Sequence, residues 1–119
     1  MSSQVLLVDD DPGFRALARS MLEGLGLVVV AEAATVSAAM SAAHALEPDA
    51  ALVDVDLPDG NGVALALELS ALPFSPRVVL TSTDPDAASP DDVQRSGAGA
   101  FVAKEDLPNA PLAQLLASA

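Results

Sequence analysis

A chain of 119 residues with 51% hydrophobic residues is long enough for one domain with a buried core and too apolar to be disordered. Its formal net charge of −12 argues against direct binding to nucleic acid or to an anionic membrane surface, since both attract basic proteins. The absence of cysteine excludes disulfides and thiolate metal sites.

The chain opens with a predicted strand and helix. Residues 5–8 form an unbroken apolar run, which is typical of a strand buried on both faces of a parallel sheet. Asp11 precedes a proline and is expected to be the N-cap of a helix with apolar residues at helical spacing. Gly24 and Gly26 are expected to end this helix.

A second strand and helix follow. Residues 27–31 are rich in valine and predict the strand. Thr35 or Ser37 can cap the next helix, which is expected to reach about Leu46, just before a proline. The N-terminus shows neither a signal peptide nor a membrane span, so a cytoplasmic location is expected.

The middle of the chain repeats the alternation of strand and helix. Residues 50–53 begin a third buried strand that ends in Asp54. The segment 56–62 is dense in turn residues, and a helix is predicted over 63–72. Residues 78–80 predict the fourth strand.

The last third is less regular. Residues 84–96 are polar and contain two prolines, which predicts a short or irregular helix. Residues 100–103 predict a fifth strand ending in Lys104, and residues 112–117 predict a closing helix. Five alternating strands and helices indicate an α/β fold: a doubly wound, five-stranded parallel sheet with helices on both faces.

Polar side chains stand where four of the five predicted strands end. They are Asp9, Asp10, Asp11, Asp54, Asp56, Thr81 and Lys104. In open parallel sheets the ligand site lies at these carboxyl ends, so the side chains are expected to meet. Crowded carboxylates repel one another, and their oxygens suit Mg²⁺, which would relieve that repulsion. One carboxylate could then attack a phosphoryl group whose charge the hydroxyl and the ammonium offset.

Four segments in register resemble the receiver domain of two-component response regulators. They are residues 8–12 (VDDDP), 53–62 (VDVDLPDGNG), 80–82 (LTS) and 97–104 (GAGAFVAK). They span nearly the whole chain in the family's order. The resemblance implies a flavodoxin-like strand order, 2-1-3-4-5, and a single receiver domain over residues 1–119.

The resemblance also implies roles for individual acids. Asp54 would be the phosphoacceptor. Asp10 would bind Mg²⁺ directly and Asp9 would help through water, while Asp54 and the backbone carbonyl of Asp56 would complete the protein ligands.

Three further residues gain roles from the same resemblance. Thr81 would move toward the phosphoryl oxygen, Lys104 would pair with it, and Phe101 would be the aromatic switch whose rotamer follows Thr81. The family usually has proline after this lysine, in a cis bond, whereas this chain has Glu105. A trans bond is therefore expected, because a cis bond before a residue other than proline costs about 2.5–4 kcal/mol.

Family members take the phosphoryl group from a histidine kinase, a phosphotransfer protein or a small phosphodonor. They catalyse only their own phosphorylation and dephosphorylation, and they act on a downstream output protein or domain. The resemblance leaves a homodimer open. It also leaves open whether the chain is a stand-alone receiver or the front part of a longer regulator.

Three other functions remain open on sequence alone. Asp54 and Asp56 form an Asp-x-Asp pair like that of haloacid-dehalogenase-type phosphatases, although that pair usually ends the first strand. A flavin-binding protein would share the strand order, but the acids at residues 9–11 would repel the flavin phosphate. A phosphorylation-independent interaction module would use the same scaffold without binding Mg²⁺.

Overall fold

A computed structural model of the chain, which describes residues 3–117, contains one five-stranded parallel sheet and one short hairpin. The strands in chain order are β1 (Gln4–Val8), β2 (Val28–Ala33), β3 (Ala50–Asp54), β4 (Asp56–Leu57), β5 (Gly60–Asn61), β6 (Arg77–Ser82) and β7 (Ala100–Ala103). The sheet order is β2-β1-β3-β6-β7, and β4 pairs with β5 in the hairpin. Since β6 and β7 are the fourth and fifth strands of the main sheet, this order is the predicted 2-1-3-4-5, which is thus confirmed.

The helices connect the strands on both faces of the sheet. They are α1 (Pro12–Gly24), α2 (Val36–Leu46), α3 (Gly62–Ser70), α4 (Pro90–Ser96), a 3-10 helix (Lys104–Asn109) and α5 (Leu112–Leu116). None of the helices described between residues 3 and 117 combines the length and the hydropathy needed to cross a membrane.

Side-chain caps explain where the helices begin. Asp11 caps α1 as predicted, and Thr35 rather than Ser37 caps α2. At α4, Ser89 and Asp92 form a reciprocal capping box in which each side chain accepts a hydrogen bond from the other's backbone N–H. This cap, followed by a proline at the first helical position, gives the polar segment its short helix.

The hydrophobic core has two layers, one on each face of the sheet. The layer under α2 and α3 includes Leu6, Val53, Leu65, Leu69 and Leu80. The layer under α1 and α5 includes Leu7, Leu22, Leu52, Leu112 and Leu116. Because apolar side chains cover both faces, the carboxyl-end edge of the sheet is where polar side chains can gather.

The structure departs from the predicted elements at several boundaries. The fourth sheet strand continues past residue 80, because Thr81 pairs with Asp54 and Ser82 pairs with Ala103. The 3-10 helix that begins at Lys104 is absent from the sequence prediction. The Lys104–Glu105 bond is trans, as expected, since the described residues contain no cis peptide bond. The first two and last two residues of the predicted domain lie outside the described residues.

Candidate functional site

The three consecutive acids after β1 have different surroundings. Asp11 is exposed and its Oδ1 accepts a hydrogen bond from the Gly13 N–H at 2.9 Å, so it serves as the helix cap. Asp9 is buried, with 2% exposure, and its Oδ1 accepts from the Asp11 N–H at 2.8 Å. Asp10 is exposed at the same edge of the sheet. One acid therefore caps the helix, and the other two remain for the site.

Asp54 brings a third carboxylate to this edge. It is the last residue of β3 and is 6% exposed. Carboxylate oxygens of Asp9, Asp10 and Asp54 lie within 4.8 Å of one another. Three carboxylates this close form an oxygen donor set that fits a hard divalent cation such as Mg²⁺. The structure therefore brings together three of the four predicted metal ligands.

Asp56, the fourth predicted ligand, takes part through its backbone. Its N–H donates to Asp54 Oδ1 at 3.1 Å, while its side chain is exposed. The main chain at Asp56 thus lies beside the group of three carboxylates. The predicted use of its carbonyl oxygen as a ligand stays a prediction.

Lys104 reaches the carboxylates from the end of β7. Its Nζ forms an ion pair with Asp9 Oδ2 at 2.8 Å and donates a hydrogen bond to Asp54 Oδ2 at 3.3 Å. Burial disfavours the charged ammonium, but the adjacent carboxylates outweigh burial and raise the pKa of Lys104. The ammonium therefore stays charged between the two acids.

Burial is the main reason that the Asp54 carboxyl group is unusual. Desolvation, reinforced by the negative charge of Asp9, raises the pKa of Asp54 from 3.8 to about 6. The Asp56 N–H and the Lys104 ammonium act in the opposite direction and only partly offset this rise. A cation bound among these acids would favour the ionised form.

Thr81 is buried opposite Asp54 on the neighbouring strand. Its side chain is 1% exposed, and its Oγ1 has no hydrogen-bond partner within residues 3–117. The Oγ of the next residue, Ser82, accepts from the Asp84 N–H at 3.1 Å. Because a buried hydroxyl without a partner is costly, the Thr81 hydroxyl is suited to an oxygen-rich ligand at this edge.

Phe101 lies on β7, on the face of the sheet covered by α2 and α3. The ring is half-buried against that core layer. It lines a groove of about 670 Å³ together with Ala88, Pro90 and Val93. The ring therefore borders open space, although its predicted role as a switch stays a prediction.

Phe14 and Arg15 contact the site but have no role in the sequence prediction. The Phe14 ring centroid lies 4.1 Å from Lys104 Nζ. Arg15 Nη1 donates to the Asp9 carbonyl oxygen at 2.6 Å, and its Nε pairs with Glu32 Oε1 at 3.0 Å. Helical spacing marks Phe14 only as a core residue. No signal in the sequence pairs Arg15 with Glu32, which lies on β2 beneath α1.

Asp59 attaches the loop after β3 to helix α2. Its two carboxylate oxygens accept hydrogen bonds from the Val36 N–H at 2.7 Å and the Ser37 N–H at 3.1 Å. These two hydrogen bonds lower the pKa of Asp59. The sequence prediction treats this residue only as part of a turn.

Comparison with known proteins agrees with this geometry. The family model for the response regulator receiver domain matches residues 5–115. The DNA-binding transcriptional activator DevR/DosR of Mycobacterium tuberculosis is 40% identical over 107 residues, which cover 86% of this chain and 48% of that protein. The chain spans about half the length of the curated relatives it matches.

Solved structures of response regulators have a similar fold. A two-component response regulator of the LuxR family from an Aurantimonas species has a TM-score of 0.83 at 26% identity, covering 96% of this chain and 81% of that one. A response regulator receiver domain from Methylobacillus flagellatus has a TM-score of 0.86 at 23% identity, covering 98% and 100%. The second likeness concerns the fold alone.

Proposed function

Because the chain belongs to the family of response regulator receiver domains, we propose that Asp54 accepts a phosphoryl group and that the domain signals through the resulting change of shape. One observation carries this proposal. The carboxylates of Asp9, Asp10 and Asp54 lie together, with Lys104 hydrogen-bonded to Asp54. The unpartnered hydroxyl of Thr81 on the adjacent strand supports it.

The proposed step is a displacement at phosphorus. A carboxylate oxygen of Asp54 forms a bond to phosphorus while the bond to the donor breaks, which is P–N for a phosphohistidine and P–O for acetyl phosphate. The leaving group takes the electron pair: acetate leaves as the anion, and a leaving imidazole takes a proton from solvent water. The Lys104 ammonium and the Thr81 hydroxyl then donate hydrogen bonds to the phosphoryl oxygens.

The acids around Asp54 have the donor chemistry for Mg²⁺. Asp9, Asp10, Asp54 and the carbonyl oxygen of Asp56 would hold the ion, which when bound supplies positive charge that offsets the carboxylates and the phosphoryl group. Arg15 fixes the main chain beneath these ligands, because its guanidinium binds the Asp9 carbonyl oxygen.

The proposed change of shape begins at Thr81. When the Thr81 hydroxyl turns toward the phosphoryl group, it leaves space beside the end of β6. The Phe101 ring can then turn inward into that space. Two observations support this coupling. The Thr81 hydroxyl has no partner to lose among the described residues, and the Phe101 ring borders a groove of about 670 Å³.

The proposal extends to partners and location. A histidine kinase or phosphotransfer protein is the proposed donor, and an output protein or domain is the proposed recipient. The likeness to a DNA-binding activator makes a DNA-binding output domain the first candidate. Residues 1–119 would act as one domain in the cytoplasm. They would contact neither nucleic acid nor membrane directly, and they would act either as a monomer or as a homodimer.

Intact mass after incubation with acetyl phosphate tests the proposal. The wild type is expected to gain the mass of one phosphoryl group only when Mg²⁺ is present, and Asp54→Asn is expected to gain none. Asp86→Asn, which alters an exposed acid, serves as the matched control and should behave as the wild type. A wild type that neither gains mass nor binds Mg²⁺ would indicate a phosphorylation-independent interaction module. Steady turnover of a phosphomonoester would indicate a phosphatase.

A further inference from the structure

We propose that Phe14 is a positioning residue that holds the Lys104 ammonium against Asp54 through a cation–π contact. This role rests on the proposed function of Asp54 as phosphoacceptor. Lys104 Nζ lies 4.1 Å from the centroid of the Phe14 ring. That distance is well inside the range of about 6 Å over which an aromatic face attracts a cation.

The ammonium has three close neighbours. Asp9 Oδ2 lies at 2.8 Å, Asp54 Oδ2 at 3.3 Å, and the ring of Phe14 faces it at 4.1 Å. Only 15% of the Lys104 side chain is exposed, so the attraction between ring and ammonium is weakly screened by water. The ring is therefore a third close neighbour of the ammonium, beside the two carboxylates.

A lysine needs such a constraint because its ammonium ends a flexible four-carbon stem. The carboxylate of Asp9 lies closer to the ammonium than that of Asp54 and competes for it. A flat aromatic face blocks withdrawal of the ammonium without fixing the direction of its N–H groups. The Lys104 ammonium can therefore turn from the Asp54 carboxylate to new phosphoryl oxygens while it remains beside the carboxylates.

Phe14 also packs against the core layer under α1 and α5, so its contribution to packing must be separated from its effect on Lys104. Phe14→Leu keeps an apolar side chain and removes the aromatic face. Phe14→Tyr and Phe14→Trp keep the face. Phe74→Leu is the matched control, because Phe74 is also half-buried but packs in the layer on the other side of the sheet.

The contact itself can be measured without phosphorylation. Lys104 is the only lysine in the sequence, so protein grown with ¹³C-lysine gives one set of lysine side-chain signals. We expect the ring current of Phe14 to shift the Lys104 Hε signals upfield in metal-free wild type. The shift should disappear in Phe14→Leu and persist in Phe14→Tyr, Phe14→Trp and Phe74→Leu.

The positioning role is measured by the rate of phosphorylation with acetyl phosphate and Mg²⁺. Phe14→Leu is expected to lower the rate constant about three- to tenfold, the range that a cation–π contact of ordinary strength provides. Phe14→Tyr and Phe14→Trp are expected to restore it. Phe74→Leu is expected to keep the wild-type rate, whatever it does to stability.

Each contrary outcome has a separate meaning. Lys104 signals without an upfield shift in the wild type would overturn the contact. A wild-type rate in Phe14→Leu, or a lowered rate that neither Tyr nor Trp restores, would overturn the positioning role. A wild type that is not phosphorylated by acetyl phosphate and does not bind Mg²⁺, although its Lys104 signals are shifted, would overturn the proposed function and the positioning role with it.

Discussion

Gly62, the first residue of α3, lies directly against the backbone of Asp54. A β-carbon at position 62 would overlap the Asp54 carbonyl oxygen and lie 2.8 Å from Val55 Cα. The Gly62 N–H also donates to the Val55 carbonyl oxygen at 2.7 Å. The backbone that carries the proposed phosphoacceptor is therefore packed against a position where only glycine fits.

Gly62→Ala is expected to destabilise the protein and to slow phosphorylation of Asp54. The added methyl group meets backbone rather than a flexible side chain, so relief requires a shift of the β3 end. Overpacking of this kind costs about 1–3 kcal/mol. The free energy of unfolding can be measured by urea denaturation followed by circular dichroism, since the chain has neither Trp nor Tyr.

Gly24→Ala is the matched control for this prediction. Gly24 ends α1, and nothing lies within 4 Å of a β-carbon at that position. The substitution is expected to leave stability unchanged or to raise it by less than about 1 kcal/mol. If Gly62→Ala were as stable and as readily phosphorylated as Gly24→Ala, the close approach to Asp54 would have no consequence.

Asp54 should make metal-free protein less stable as the pH rises. Its folded pKa of about 6 lies above the ordinary value of 3.8, so the folded state binds the proton more tightly than the unfolded state. The stabilisation is fully present below pH about 4 and is lost as the pH rises through about 6. At pH about 8 the loss amounts to no more than about 3 kcal/mol.

Asp54→Asn provides the comparison, because the amide does not titrate. Unfolding in EDTA is expected to show the variant gaining stability relative to wild type between pH about 4 and about 8. Carboxylates far from residue 54 titrate alike in both proteins, so their contributions cancel in the difference. A difference that does not vary with pH would contradict a raised pKa at Asp54.

Much of the site could be predicted because it depends on strand ends. Apolar runs that stop at Asp9, Asp54 and Lys104 mark where strands end, and parallel strands bring their carboxyl ends to one edge of a sheet. The chain alternates strand and helix five times, which leaves few other ways to arrange the sheet. The predicted acids therefore meet, although they are far apart in the sequence.

The contacts that the sequence does not predict depend on how side chains from different helices and strands pack against one another. Phe14 follows the helical pattern of α1, and only the tertiary fold brings its ring to Lys104, which follows β7. Arg15 meets Glu32 because α1 lies over β2. Neither relationship leaves a local pattern of residue types, spacing or turns from which it could be inferred.

Mg²⁺ is expected to raise the melting temperature, and this gain should depend on the Asp10 carboxylate but not on that of Asp11. Asp10 belongs to the carboxylate cluster, whereas the Asp11 side chain caps α1. At a Mg²⁺ concentration about 100 times its Kd, binding to the folded state adds about 2.7 kcal/mol of stability. Asp10→Asn should lose most of this gain, as measured by thermal melts followed by circular dichroism with increasing Mg²⁺.

Asp11→Asn is the matched control, since asparagine caps helices as well as aspartate does. It removes one negative charge from the same loop and should keep most of the response to Mg²⁺. Equal losses in the two variants would mean that the response reflects the overall charge of the loop rather than ligands in the cluster.

Asp59→Ala is expected to lower the melting temperature near neutral pH. The substitution leaves the Val36 and Ser37 N–H groups at the start of α2 without their carboxylate acceptors. It also releases the hairpin that follows Asp54, so the melting-temperature gain from Mg²⁺ should shrink as well. Thermal melts with and without Mg²⁺ measure both effects.

The pH dependence separates this cap from other effects of the substitution. Hydrogen bonds from α2 hold the folded pKa of Asp59 below 3.8, so its stabilisation is present above that pH and is lost as the pH falls through the folded pKa. Wild type and Asp59→Ala should therefore converge in strong acid. Asp86→Ala removes an exposed acid whose own carboxylate accepts none of the hydrogen bonds described within residues 3–117, and it should match wild type throughout. A gap between wild type and Asp59→Ala that persists in acid would show that the carboxylate does not stabilise the fold through its charge.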